Sequence, residues 1–140
     1  MSDQHGERAA RDIPFHGEFV WTEIASTDAY KCMEFYKNVV GWTFQESNAV
    51  TDGMDYREFS NGTGNPVGGL YQMNPEWFGG TAPPAHFMTY IAVDDVDESA
   101  KKAESLGGKI HKTTDIPNVG RMSIIEDPTG AMFSLFKPNM

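Results

Sequence analysis

The sequence predicts an α+β fold in which two βαβββ units pair into a curved, cleft-forming half-barrel. Three observations predict it. The first is an internal echo: WTEIASTD, beginning at Trp21, returns as MTYIAVDD, beginning at Met88. Thr22, Ile24, Ala25 and Asp28 are matched by Thr89, Ile91, Ala92 and Asp95, and Gly41 by Gly108, at one fixed offset. The second is element order, since each half reads strand, helix and then three short strands. The third is physical: a unit with one helix leaves one face of its sheet bare, so two units must share a core.

Each element has its own local reason. Glu18 to Ala25 (EFVWTEIA) is rich in β-branched and aromatic residues and reads as a strand. Thr27 or Asp28 caps the helix that follows, DAYKCMEFYKNVV, where Cys32, Tyr36, Val39 and Val40 fall at helical spacing and Gly41 ends it. TFQES, DYREFS and PVGGLYQM are strand-like runs split by the turn signals NAVTDG and NGTGNP. The stretch NPEWFGGTAPPA, residues 74–85, is rich in proline and glycine and reads as a linker. The pattern then restarts with the strand HFMTYIAV. A helix capped by Asp95 or Asp97 runs through Leu106, with Val96, Ala100, Ala103 and Leu106 as its apolar stripe, and Gly107-Gly108 stops it. KIHKTT, RMSIIE and AMFSLF follow as strands, the last two joined by DPTG. The organisation is thus a polar tail (1–16) and one domain (17–140), with unit one at 17–73, the linker at 74–85 and unit two at 86–138.

Composition narrows the function. At 39% hydrophobic, the chain has enough apolar surface for a core without staples. A single cysteine, Cys32, leaves no internal disulfide and suits a reducing compartment. Residues 1–12 contain no apolar signal-like run, and no segment approaches the roughly 18 apolar residues of a membrane span. A cytoplasmic protein is expected. The formal charge of −9 repels phosphate backbones, which argues against nucleic acid as a partner. NGTGNPVGG is glycine-rich but does not spell G-x-G-x-x-G, and no helix follows it, so a dinucleotide site is not expected.

The blocks WTEIASTDAYKCMEFYKNVVGW, PVGGLYQM, HFMTYIAVDDVDESAKKAESLGGK and GRMSIIEDPTGAMFSLFKP resemble the vicinal oxygen chelate superfamily, the group of glyoxalase/bleomycin resistance/dioxygenase proteins. The resemblance covers residues 17–138 and implies the paired βαβββ architecture and a homodimer. In metal-dependent members, His, Glu or Gln ligands come from the first and last strand of each unit. The resemblance places those positions at Trp21, Met88, Ser134 and Gly68 or Gly69. Trp, Gly and Ser offer a divalent ion nothing useful, and a thioether is a soft ligand poorly matched to Zn²⁺, Mn²⁺ or Fe²⁺. No catalytic metal and no cofactor are therefore expected.

Strand alternation extends these positions into a lining: Trp21, Glu23, Gly69, Tyr71, His86, Met88, Tyr90, Met132, Ser134 and Phe136, with Trp77 of the linker as a lid or partner contact. Such a surface suits an apolar or aromatic small molecule held by a few polar anchors. The leading expectation is a metal-independent binding protein, with sequestration or resistance as its role. A metal-free acid–base enzyme using Glu23 with His86 or Tyr90 stands beside it. A metal-dependent lyase or dioxygenase ranks third. Arg121 is a further candidate, as a clamp for an anionic group.

Overall fold

The computed structural model describes residues 13–47 and 55–139; the expected NAVTDG turn lies outside them. The elements are β1 (Phe19–Ser26), α1 (Ala29–Val40), β2 (Thr43–Glu46), β3 (Tyr56–Ser60), β4 (Gly68–Gln72), β5 (His86–Ala92), α2 (Val96–Ser105), β6 (Lys109–Ile116), β7 (Gly120–Glu126) and β8 (Met132–Pro138). This is the predicted order. All eight strands join one curved, open sheet in the order β2-β3-β4-β1-β5-β8-β7-β6.

The seam between the units is the antiparallel ladder of β1 and β5, in which Thr22 pairs with Thr89. These two residues are equivalent in the repeat, so the pseudo-twofold axis passes between them. Symmetry also relates the parallel ladders β1–β4 and β5–β8. Both helices cover the same face. Ile24, Phe59 and Leu70 pack under α1, and Val93, Ile125 and Leu135 pack against Val96 and Ala100 of α2. Neither α-helix covers the opposite face, the cleft side of the sheet, on which Trp21, Glu23 and Tyr90 lie.

The helix caps repeat as well. The side chain of Asp28 accepts from the backbone N–H of Lys31, and that of Asp95 from Glu98. Gly41 closes α1 in the left-handed region, at φ 75°, where a Cβ would be strained.

Two expectations need correction. Val39, Val40 and Leu106 are exposed and not part of the buried stripes. Trp42, just past α1, covers the core instead, stacking on Phe59 at 4.1 Å and on Tyr36 at 5.0 Å. The linker is not structureless either: Pro75–Phe78 forms a turn of 3-10 helix, capped by the Asn74 side chain accepting from Glu76 N–H. Among the described residues, no helix is long and apolar enough to cross a membrane.

Gly68 and Gly69 let β4 lie close to its neighbours, on opposite faces. A Cβ on Gly68 would overlap the Thr22 carbonyl oxygen and the Phe59 ring on the helix-covered face. A Cβ on Gly69 would overlap the Tyr56 phenol on the cleft face. That resolves the sequence ambiguity: Gly69, not Gly68, shares a face with Glu23. Gly68→Ala should therefore push β4 off β1 and cost about 1–3 kcal/mol of overpacking, read as a lowered urea midpoint; an unchanged midpoint would contradict this packing.

Candidate functional site

Along β1 the period of two sends Trp21 and Glu23 to the cleft face and Ile24 to the core. The register sets Trp21 opposite Tyr90, and Glu23 between Met88 on β5 and Gly69 on β4. Because Gly69 has no side chain, Tyr56 of β3 reaches over it to Glu23. The Tyr56 hydroxyl donates to Glu23 Oε2 at 2.6 Å, and the Tyr90 hydroxyl donates to Oε1 at 2.9 Å. Trp21 Nε1–H donates to the Tyr56 oxygen at 2.8 Å, which orders the Tyr56 proton toward Glu23. The Met122 sulfur lies 3.8 Å from the Tyr90 oxygen.

Burial dominates the electrostatics. It raises the Glu23 pKa, against the opposing effect of the two phenol hydrogen bonds. Burial and then the Glu23 charge raise Tyr56 and Tyr90, so both phenols stay protonated and act as donors. Tyr71, on the same face, is pushed up to about 12 by burial and then by the same charge. Among the described residues, the side chains that hydrogen-bond Glu23 are these two phenols, and neither is a cation.

An aromatic wall continues from this network. Tyr71 stacks on Tyr56 with ring centres 6.3 Å apart, and Trp77 leans on Tyr71 at 6.3 Å. The 3-10 turn thus brings Trp77 to the cleft side, where it stays about half exposed, as does Phe78. Phe136 meets Tyr90 edge-on at 6.0 Å, and Met88 stands opposite Glu23. Met132 lies at the outer start of β8, 41% exposed.

Other expected site residues are placed differently. His86 pairs with Ala25 at the start of β5, and its Nδ1 is 2.8 Å from the Pro84 carbonyl oxygen, so this nitrogen meets a linker carbonyl and not Glu23. Ser134 has no exposed surface, and its hydroxyl donates to the carbonyls of Ser123 and Leu135; buried and satisfied, it leaves nothing for a ligand. Arg121 is held by the carboxylates of Asp97 and Asp115, and it ties α2 to the β6–β7 hairpin. Tyr56 is the residue that the sequence reading missed.

The four positions where the resemblance places metal ligands do not suit a divalent cation. Trp21 presents an N–H, the Tyr56 phenol fills the space at Gly69, Met88 is a thioether, and Ser134 is spent on backbone. Among the described residues, no three His, Cys, Asp or Glu side chains converge as a metal site.

The raised pKa makes a testable statement about stability. Folded Glu23 holds its proton more tightly than the unfolded chain does, whose carboxyl titrates near 4.5. Its contribution is thus full below that value and lost as pH rises through the folded pKa. Glu23→Gln removes the titration. Relative to wild type, the variant should gain stability as pH rises above the unfolded chain's carboxyl value and level off once the folded carboxyl has ionised, as read from urea midpoints. Parallel pH profiles would count against the burial of this carboxyl.

The family model of the Glyoxalase/Bleomycin resistance protein/Dioxygenase superfamily matches residues 18–135. A Mycobacterium tuberculosis protein provisionally named a glyoxylase is 39% identical over 123 residues, covering 87% of this chain and 44% of its own length. An anthracycline biosynthesis protein of Streptomyces peucetius is 29% identical over 133 residues, covering 86% of this chain and 47% of its own length. The chain therefore spans less than half the length of these relatives. Among solved structures, methylmalonyl-CoA epimerase from Mycobacterium tuberculosis superposes with a TM-score of 0.59 at 17% identity, covering 89% of each chain. A hypothetical protein from Bacillus halodurans does so with 0.64 at 10% identity, covering 89% of this chain and 96% of that one. At such identities the structures speak to fold alone, and the family match carries the assignment: the chain belongs to the glyoxalase/bleomycin resistance protein/dioxygenase superfamily.

Proposed function

We propose that this protein binds an apolar, aromatic small molecule in its cleft without the help of a metal. The observation that carries the reading is the wall of Trp21, Tyr56, Tyr71 and Trp77 beside the hydrogen-bonded carboxylate of Glu23. Flat rings supply stacking area at low entropy cost, and one buried polar group fixes orientation. Similarity to an anthracycline biosynthesis protein is in keeping with an aromatic ligand. A sequestering role follows from such a site, since binding alone needs no catalytic group beyond the anchor.

One observation favours a second reading. A carboxyl whose pKa is raised by burial, beside two protonated phenols, is poised for proton transfer. In that case Glu23 takes the proton and Tyr90 or Tyr56 donates a hydrogen bond to the developing anion. The His86 Nδ1 is engaged by the Pro84 carbonyl, so the phenols and not this ring hold Glu23. Glu23→Gln separates the two readings: a binder loses affinity, whereas an enzyme loses turnover and keeps affinity.

The binding reading is tested with hydroxymethyl-anthracene as a neutral planar probe, followed by tryptophan fluorescence. Trp21→Ala should weaken binding by about 1–2 kcal/mol, and Trp77→Ala by somewhat less. Tyr30→Ala, on the exposed side of α1, should do nothing. Affinity indifferent to both tryptophan substitutions would place the ligand elsewhere. Independence of metal is checked by elemental analysis of protein purified without chelators. Well under one equivalent of Zn, Ni, Mn or Fe per chain is expected, and a stoichiometric metal lost on Glu23→Ala would overturn that part.

A further inference from the structure

We propose that the ligand of this cleft is an organic cation: an aromatic body carrying a protonated amine that docks on Glu23. The inference rests on the cleft being the binding site and goes on to name the class of ligand it takes.

The Tyr56 oxygen already receives the Trp21 N–H, so its own proton points to Glu23, and Tyr90 supplies a second donor to the other oxygen. Each carboxylate oxygen has then accepted one hydrogen bond and keeps a further acceptor site. Two neutral donors soften a buried negative charge but do not cancel it.

A second carboxylate adds to the first. Glu58 of β3 pairs with Gly69, which in turn pairs with Glu23, so the two acids share a face, with the Tyr56 phenol lying over the glycine between them. Ser47 donates to Glu58 at 3.1 Å. Among the described residues, Arg57, Arg121 and Lys112 are turned away, occupied or distant. Arg57 alternates to the helix-covered face, where it meets Asp55 and the Met33 sulfur. Arg121 is taken by Asp97 and Asp115. Lys112 lies on β6, the far edge of the sheet, with β8 and β7 standing between it and β5.

The surrounding rings complete the match. The faces of Trp21 and Tyr71 carry negative quadrupole potential, and a cation held near them gains from it while their area receives the ligand's apolar part. A neutral or anionic ligand would leave Glu23 and Glu58 uncompensated under its own cover. An ammonium group removes that cost by donating to the open acceptor sites of Glu23. The net charge of −9 further raises the local concentration of cations.

The test uses two probes of one shape, aminomethyl-anthracene and hydroxymethyl-anthracene, titrated into the full chain at neutral pH. The amine should bind about ten- to a hundredfold more tightly than the alcohol, the scale of a charge-assisted hydrogen bond. Glu23→Gln should collapse that preference to within about threefold, and added salt should shrink it in the wild type. Because the wild-type pair is informative alone, the comparison stands even if the variant folds poorly. An alcohol bound as tightly as the amine, with Trp21→Ala still weakening both, would overturn the cationic ligand and leave the cleft as the binding site. An amine preference that survives Glu23→Gln would overturn it too. Binding of neither probe would remove both the cleft and the cation.

Discussion

A carboxylate set into the middle of an eight-stranded sheet is the constraint around which this molecule is arranged. Glu23 sits on β1, a central strand, with Met88 opposite it on one side and bare backbone at Gly69 on the other. Left alone there, it would carry a large desolvation penalty. The fold offsets that penalty with two phenols from strands on either side, and an indole N–H holds one of them in place. The glycine at position 69, the tyrosine at 56 and the tryptophan at 21 are answers to a single electrostatic problem. Substituting any one of them changes the environment of the other two.

The duplicated architecture gives this network its asymmetry. Glu23 and Tyr90 are equivalent positions of the two units, separated by the same sixty-seven residues that relate Thr22 to Thr89. Their hydrogen bond therefore joins the repeat to itself across its own axis. Trp21 and Met88 form the corresponding second pair. Where a freshly duplicated unit would present the same chemistry twice, this chain sets an acid against a phenol and an indole against a thioether. Unit one supplies the charge and most of the aromatic wall, and unit two supplies a donor and an apolar flank. The helices and their caps have meanwhile kept their likeness, because packing under α1 and α2 asks the same of both halves.

Much of the fold was legible in the sequence because it rests on local signals. Asp28 and Asp95 announce helix starts, Gly41 a helix end, and alternation in EFVWTEIA the face on which Glu23 lies. What could not be read there depends on register between strands distant in sequence. Tyr56 is the clearest case: DYREFS alternates, but nothing local tells which face joins the cleft. A signal existed in the pair Gly68-Gly69, since glycine inside a strand marks a close approach, and the approaching group was Tyr56. Ser134 shows a second limit: alternation gave the face it shares with Tyr90, yet its complete burial and its bonds to backbone carbonyls are invisible without coordinates. Val39 and Val40 were misplaced because Trp42, a residue past the helix, won the position over Phe59.

The seam has a further consequence, for the route by which the chain folds. The β6–β7–β8 meander forms between neighbours in sequence, and so do the two helices. The β1–β5 and β1–β4 ladders require the chain to close long loops before any pairing energy is returned. The costly contacts are the ones that bring Trp21, Glu23, Tyr56 and Tyr90 together. A chain with its helices and meander made but its seam open would be well structured and have no site at all. Assembly of the seam and assembly of the site are one event.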